Sequence, residues 1–302
     1  MSFIEKQRHG KHFYYYLVKN VRVTPTKAKK LRIFLGRRVP RRDELQKYFV
    51  ELEKRTMGQY QTKWLPKELV EKVDDLSASI TVFYKTPSDA LPKDFLVRYT
   101  YNTNAIEGNH LTLRQTALVL SDRIAPEGAR ADDVIEALNA VDAWNFIKAY
   151  KNRLNKRFVC KVQYEITKNT SCRIQGSYRD SKVRIAGSRH IPPKPVNVPK
   201  LLEGLFAEFY LEKKTLHPIE LAALLHNRFV NIHPFTDGNG RTSRLLMNWI
   251  LLRNKFPPVI IEISNKEQYY DAIEAADEGD QKPFAMFLCN QLLAQYTVSA
   301  LS

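Results

Sequence analysis

The chain of 302 residues has only three cysteines, Cys160, Cys172 and Cys289, an odd number at wide spacing. With no C-x-x-C pair, neither a disulfide framework nor a zinc ribbon is supported. A reducing, intracellular setting is expected. No apolar run reaches membrane-spanning length; the best, 245–252, is cut short by Arg253. The opening residues, MSFIEKQRHGKHF, lack the apolar core of a secretory signal. These absences predict a soluble, cytoplasmic protein without membrane partners. Internal repeats and low-complexity tracts are missing as well. What is present is globular: 44% hydrophobic and 11% aromatic residues. That is enough for a sizeable core, in one large domain or a main domain with a small partner.

Acidic residues are scarce in two stretches. Residues 1–42 hold 13 Lys/Arg against the single acid Glu5, a balance of +12. Residues 148–194 hold 13 Lys/Arg against Glu165 and Asp180, a balance of +11. The whole chain carries +16, so the remainder is acidic, at −7. Positive charge therefore belongs to segments and not to the whole surface.

The aromatic and β-branched run 11–37 predicts a β-hairpin or small sheet. Basic residues interleaved there with Phe13, Tyr14, Tyr15 and Tyr16 suit a nucleic acid or an acidic protein; a packed sheet with a charged outer face accounts for the same pattern. The stretch around Pro40 reads as a linker into a helix over about 43–57. From about residue 90 helical periodicity prevails, near 92–107, 112–122, 131–150, 158–169, 198–212, 217–230, 240–254, 265–277 and 282–297. Thr112 and Pro218 are start signals, and Ser264 with Glu267, or Asn265 with Gln268, has capping-box spacing. Residues 174–196, with glycines and Pro192-Pro193, predict an extended flap or hairpin. A mainly α fold follows, divided into a basic β-rich segment 1–42, a helical linker region 43–90 and a helical domain 91–302.

The stretch NIHPFTDGNGRTSRLL, 231–246, separates two apolar helical runs, 217–230 (expected to be amphipathic) and 241–254. Glycines at a helix N-terminus, with free backbone N–H groups and the positive dipole end, make an anion site. Arg241 and Arg244, three apart, share a face and are expected to reach outward to further phosphates. Asp237, ahead of the cradle, would repel phosphate unless a cation intervened; Mg²⁺ bridging Asp237 to a polyphosphate resolves the conflict. His233 suits a general base for an incoming hydroxyl. Phe235 would anchor the loop in the core. There is no G-x-x-x-x-G-K-[ST] and no dinucleotide fingerprint. His217, His226 and His233 do not make H-E-x-x-H, which argues against zinc.

His233-Pro-Phe-Thr-Asp237-Gly-Asn-Gly-Arg241-Thr-Ser-Arg244 resembles the Fic motif, H-x-F-x-[DE]-G-N-G-R-x-x-R, at every defined position. The resemblance runs from about 95 to 290, close to two thirds of the chain. It implies a helical Fic core with a β-hairpin flap and transfer of AMP from ATP, with Mg²⁺, to a Ser, Thr or Tyr hydroxyl of a target protein, including itself. It assigns His233 as base, Asp237 to the metal, Gly238, Asn239 and Gly240 to the phosphate cradle, and Arg241 and Arg244 to the β/γ-phosphates, with Thr242 and Ser243 also in the nucleotide site. Attack at the α-phosphorus comes from the resemblance; residue chemistry alone leaves α or γ open. Gly240 follows the AMP-transferring pattern, where the related Doc kinases carry lysine.

TNAIEGN, Thr103 to Asn109, is similar to the inhibitory motif [ST]-x-x-x-E-[GN] of the family. The resemblance implies that Glu107 pairs with Arg244 and blocks γ-phosphate seating within the same chain; a helix ending at Gly108 with an exposed Glu accounts for the pattern too. The flap residues Ile185, Ala186, Gly187 and Ser188, on to His190, are expected over the nucleotide, where a target peptide would dock by strand addition. Tyr269 and Tyr270 are expected to line the adenine pocket. Asp277 stands where relatives often carry Asn and accepts without donating when ionised. A homodimer is implied by the family. Competing readings are AMP removal, transfer of UMP, phosphocholine or phosphate on the same scaffold, and a binding module built on the basic N-terminus.

Overall fold

The computed structural model describes residues 2–22, 28–57, 60–83, 91–92, 94–185 and 188–297. The chain opens with an antiparallel sheet in the order β1 (Ser2–His9), β2 (His12–Arg22), β3 (Ala28–Gly36). Eleven α-helices follow among the described residues: α1 (Arg42–Met57), α2 (Lys67–Phe83), α3 (Phe95–Ala105), α4 (Leu113–Ser121), α5 (Ala131–Ala149), α6 (Lys156–Thr167), α7 (Val198–Glu212), α8 (Pro218–Ile232), α9 (Asn239–Arg253), α10 (Lys266–Asp277) and α11 (Lys282–Thr297). The mainly α class is as expected.

The sheet buries one face. Leu17 of β2 with Ile33 and Leu35 of β3 packs on Leu52 of α1 to form a small separate core. The main core is built on α8 and α9. Reading 217–230 as amphipathic is corrected: nearly every residue of α8 except Arg228 is buried or half-buried, and α9 is buried from Arg241 through Leu251. A helix enclosed on all sides need not carry a polar face.

β1 was not expected as a strand, and α2 falls within the helical linker region 43–90 without having been given bounds of its own. β1 (SFIEKQRH) is an edge strand with much of both faces in solvent, so its sequence carries little alternation. α2 sends Val73 and Ile80 into the main core, at the helical spacing of seven. Two further expectations are corrected. Asn265 precedes α10 without a side-chain cap bond; its amide donates instead to Gln291 at 3.3 Å. Of the two alternatives for 174–196, the described residues up to 194 run outside helices as an extended flap would, and no hairpin strand pairing forms among them, where Pro192, Pro193 and Pro195 remove backbone donors from any ladder. The start signals at Thr112 and Pro218 do operate. Thr112 forms a reciprocal capping box with Gln115, and Pro218 opens α8 behind His217, whose ring accepts from the Ile219 N–H.

Buried charges join the parts. Lys19 of β2 reaches both Glu53 carboxylate oxygens, at 2.6 and 2.5 Å, and Lys255, just beyond α9, reaches the same carboxylate at 3.1 Å. Burial would raise the Glu53 carboxyl, but the two ammonium groups hold it below its ordinary value. Glu220 of α8 is fully buried and accepts the backbone N–H groups of Lys63, Trp64 and Leu65 at 2.7–3.1 Å. This carboxylate holds the α1–α2 connection onto the core.

Glu220→Ala is expected to lower the unfolding free energy by about 3 kcal/mol or more, because several N–H groups lose one shared anionic acceptor. Glu220→Gln keeps one acceptor oxygen and should cost about half as much. Urea unfolding curves check this; equal losses for the two variants would show that the lost side-chain packing dominates.

Candidate active site

The α8–α9 junction builds the site. His233 ends α8 in the left-handed conformation, φ 49°. Its Nδ1 lies 3.3 Å from the Val230 carbonyl. A carbonyl only accepts, so Nδ1 carries the proton and the neutral ring presents a free lone pair at Nε2. Burial pushes the imidazole down to about 4, so it is neutral near pH 7 and its lone pair is unprotonated. Phe235 is fully buried, as its anchoring role requires. Asn239 closes the loop from within: its side chain accepts from the Phe235 N–H and donates to the Phe235 carbonyl, both at 2.9 Å.

Gly238 precedes α9 at φ +77°, and a Cβ there would come 3.2 Å from Thr167. The tight packing and the positive φ both demand glycine. Gly240 has another reason. A Cβ at that position would overlap the Glu107 carboxylate. The Glu107 carboxylate therefore lies against the first turn of α9.

Arg241 and Arg244 do not reach outward. Both are buried, at 4% and 2% exposure, because their face of α9 turns toward α3 and α5. Arg241 pairs with Glu136 of α5 at 2.6 Å and with Asp237 at 3.1 Å, while its Nε is buried without a partner. Arg244 donates to Glu107 at 2.7 Å, to the Thr103 hydroxyl and carbonyl at 3.0 and 2.8 Å, and to the Tyr269 hydroxyl at 3.3 Å. Burial alone would raise the Glu107 carboxyl; the Arg244 and Arg241 guanidiniums outweigh it and hold it below its ordinary value. Glu107 is thus not a free helix end. α3 stops at Ala105, Gly108 turns at φ +97°, and the Glu107 side chain folds back to the arginine, 32% exposed.

Tyr269 is 1% exposed, which corrects its expected place on the pocket wall. It lies behind Arg244 and stands 2.9 Å from His226. The directions of the bonds are fixed: Arg244 donates to the Tyr269 oxygen, so Tyr269 donates to His226 Nε2, and His226 Nδ1 donates to Asn227 Oδ1 at 3.0 Å. Burial pushes the His226 imidazole down to about 3, so the neutral ring can accept this bond. Tyr270 is exposed beside the turn that carries Glu107, its hydroxyl 3.5 Å from the Ile106 carbonyl. Asp277 accepts from Asn231 at 2.9 Å, a role open to carboxylate and amide alike. Thr242 and Ser243 are buried; Ser243 donates to the Gly240 carbonyl at 2.8 Å, which places both in the helix wall.

Asp237 is half-exposed on its side chain. It fits a Mg²⁺ held by one carboxylate, with phosphate oxygens and water completing the shell; among the described residues no cluster of three protein ligands exists. The partnerless Arg241 Nε and the cradle at Gly240 fit a polyphosphate. Of the expected flap residues, Ala186 and Gly187 lie outside the described residues. Ser188 donates its N–H to the Ile185 carbonyl at 3.3 Å, and His190 Nε2 stands 2.8 Å from the Asn231 carbonyl at the end of α8.

Three residues of the site were missed. Arg179, 3% exposed, donates to the His233 carbonyl at 2.7 Å and to the Pro193 carbonyl at 2.5 Å, tying the 174–196 segment to the His233 backbone. Gln163 of α6 donates to the Asp237 carbonyl at 3.2 Å and accepts from the Gly176 N–H at 2.6 Å. Glu136 neutralises Arg241. The basic stretch 148–194 flagged Arg179 only as one cation among many. Nothing in the spacing of Gln163 or Glu136 points to the loop.

Residues 153–251 match the Fic/DOC family. The chain is similar to the protein adenylyltransferase Fic of Nematostella vectensis, 34% identical over 237 residues, covering 75% of this chain and 54% of that protein. It is likewise similar to the protein adenylyltransferase Fic of Aedes aegypti, 37% identical over 205 residues, covering 66% and 40%. The chain thus spans about half the length, or less, of these curated relatives. Among solved structures, Fic-1 (aa134–508) from C. elegans superposes with a TM-score of 0.69 at 27% identity, covering 78% of this chain and 71% of that one. The chain belongs to the Fic family.

Proposed function

We propose that this protein transfers AMP from ATP to a hydroxyl of a target protein and is held inactive by Glu107. The observation that carries the reading is a free imidazole base, His233, beside a helix N-terminus where Glu107 and Arg244 meet. In this reading His233 Nε2 takes the proton of the attacking Ser, Thr or Tyr hydroxyl. The oxygen forms its bond to the α-phosphorus, and pyrophosphate leaves. Backbone N–H groups from Gly238 to Gly240 and the two arginines stabilise the phosphate charge. Mg²⁺ on Asp237 would neutralise charge on the polyphosphate. Glycine at position 240 supports the AMP branch over the kinase branch.

Inhibition has a physical basis. The Glu107 carboxylate takes one end of the Arg244 fork and covers Gly240, so a γ-phosphate there meets an occupied donor and a like charge. On family resemblance we extend the proposal to a homodimer with the target peptide docked at the flap. The basic N-terminal module is proposed as a docking element for an acidic partner. A reducing cytoplasm is proposed from free, buried Cys160 and Cys289, whose thiols burial pushes up.

His233→Ala should reduce AMP transfer by about 10²–10⁴-fold with the thermal midpoint little changed. Mass spectrometry of protein incubated with ATP and Mg²⁺ measures it; retained transfer would remove His233 from the role of base. Glu107→Gly should raise the yield of the AMP adduct on the protein itself, whereas an unchanged yield would mean that Glu107 does not restrain Arg244. A phosphate increment in its place would assign the kinase chemistry.

The acid limb of the pH–rate profile should also be displaced. With the imidazole held down to about 4, the base stays deprotonated well below the free histidine value of about 6.5. Activity of the Glu107→Gly variant should therefore persist at pH 5.5; a half-maximal point near 6.5 would contradict a buried base.

A further inference from the structure

Among the described residues, the helix that packs on the sheet is α1, against Leu17, Ile33 and Leu35; on the other face Val18, the register partner of Phe3 and Arg32, is buried while the rings of Phe3 and Phe34 are exposed. The registers place Phe3, Glu5, Gln7 and His9 of β1, Tyr14 and Tyr16 of β2, and Lys30, Arg32 and Phe34 of β3 on the opposite, outer face. There the rings touch one another. Tyr14 and Tyr16 lie 5.9 and 5.4 Å from Phe34, and His9 lies 5.7 Å from Tyr14. Phe34 is 54% exposed and Phe3 45%, so large apolar rings stand in water, and among the described residues no further element covers them.

Charge specifies what fits this face. Arg37 sits over the Tyr14 ring at 5.8 Å. The segment's single acid, Glu5, is engaged by Lys30 at 2.9 Å and Arg32 at 3.4 Å. Glu5 is the one carboxylate of the first 42 residues, so none is left free to repel an anion, against 13 cations in the same segment. A protein partner of merely acidic character would be served by the lysines and arginines alone. A row of contacting rings, open to solvent and bordered by arginine, fits an anion that also presents flat π-faces.

We propose that the outer face of the sheet binds single-stranded nucleic acid, with bases stacked on Phe34 and the adjoining Tyr14 and Tyr16 and the backbone held by Arg37 and neighbouring cations. This deepens the reading of the N-terminal module as a docking element and is independent of the transfer reaction. The rings make recognition tolerant of base identity, and the phosphates make it salt-dependent.

The test is fluorescence anisotropy of the full chain with a labelled single strand of about a dozen nucleotides. The expected result is binding at low salt that weakens by about tenfold from 50 to 200 mM salt. Phe34→Ala should weaken it by roughly tenfold, the loss of about one stacked base. Phe34→Leu keeps an apolar side chain without a π-face and should weaken it nearly as much, with the thermal midpoint of both variants unchanged. His233→Ala should bind as the unsubstituted protein does, so failure of the transfer reading and failure of this one are separately visible. Four results would overturn the proposal: no binding at about 50 mM salt, affinity indifferent to Phe34, preference for a duplex of the same length, or equal competition by a polyglutamate peptide, which would assign the face to an acidic protein.

Discussion

A guanidinium cannot be buried alone. Arg244 is almost fully enclosed, and its charge is tolerated because α3 supplies Thr103, the turn that follows α3 supplies Glu107, and α10 supplies Tyr269. The rest of the site depends on this need. α3 must lie across the N-terminal half of α9, so the segment that carries Glu107 is also the segment that holds the arginine. Arg98 to Glu262 at 2.7 Å and Asn102 to the Ile263 N–H at 2.8 Å secure the same helix to the lead-in of α10. In the proposed reaction a phosphate replaces one acceptor of Arg244 and leaves the two Thr103 acceptors in place. Only the carboxylate has to move, and α3 stays.

Behind the arginine, a line of polar side chains fixes its direction. It runs from Tyr269 through His226 to Asn227 and on to Gln281, whose amide oxygen accepts from Asn227 at 2.9 Å. Every member is buried and every bond has a defined donor, and a satisfied network of this kind specifies one arrangement. His226 is the clearest case. Stacked on Phe284 at 4.5 Å, it is a core histidine with a structural task. Its position seven residues before His233 (two turns of α8) brings it no part in the chemistry.

Much of this was legible in the chain, and what was not has physical reasons. The motif 233–244 could be read because a base, an acid, a glycine turn and two arginines at close spacing are local information. Glu107 could be linked to Arg244 only through the second motif's resemblance, because 137 residues separate them. Spacing places Arg241 and Arg244 on one face of a helix, but it does not say whether that face meets water or α3. Hence their inward direction and the burial of Tyr269 were misjudged. Arg179, Gln163 and Glu136 act through carbonyls, backbone N–H groups and a distant arginine, partners that leave no periodic trace. β1 escaped for the opposite reason: an exposed edge strand has no buried face to write into its sequence.

Lys255 follows directly on the C-terminal end of α9, and through Glu53 it meets Lys19 of the sheet. The other end of the same helix carries Gly240, against which Glu107 lies. At about 1.5 Å per residue, the 15 residues of α9 put roughly 22 Å of rigid rod between the two. Whatever is held on the sheet is therefore not on a flexible tether. It is presented at one bearing and one range, so a target bound at both ends has a high effective concentration at the site only if its own dimensions match. The helix acts as a gauge that fixes the distance between the proposed sheet site and the proposed transfer site.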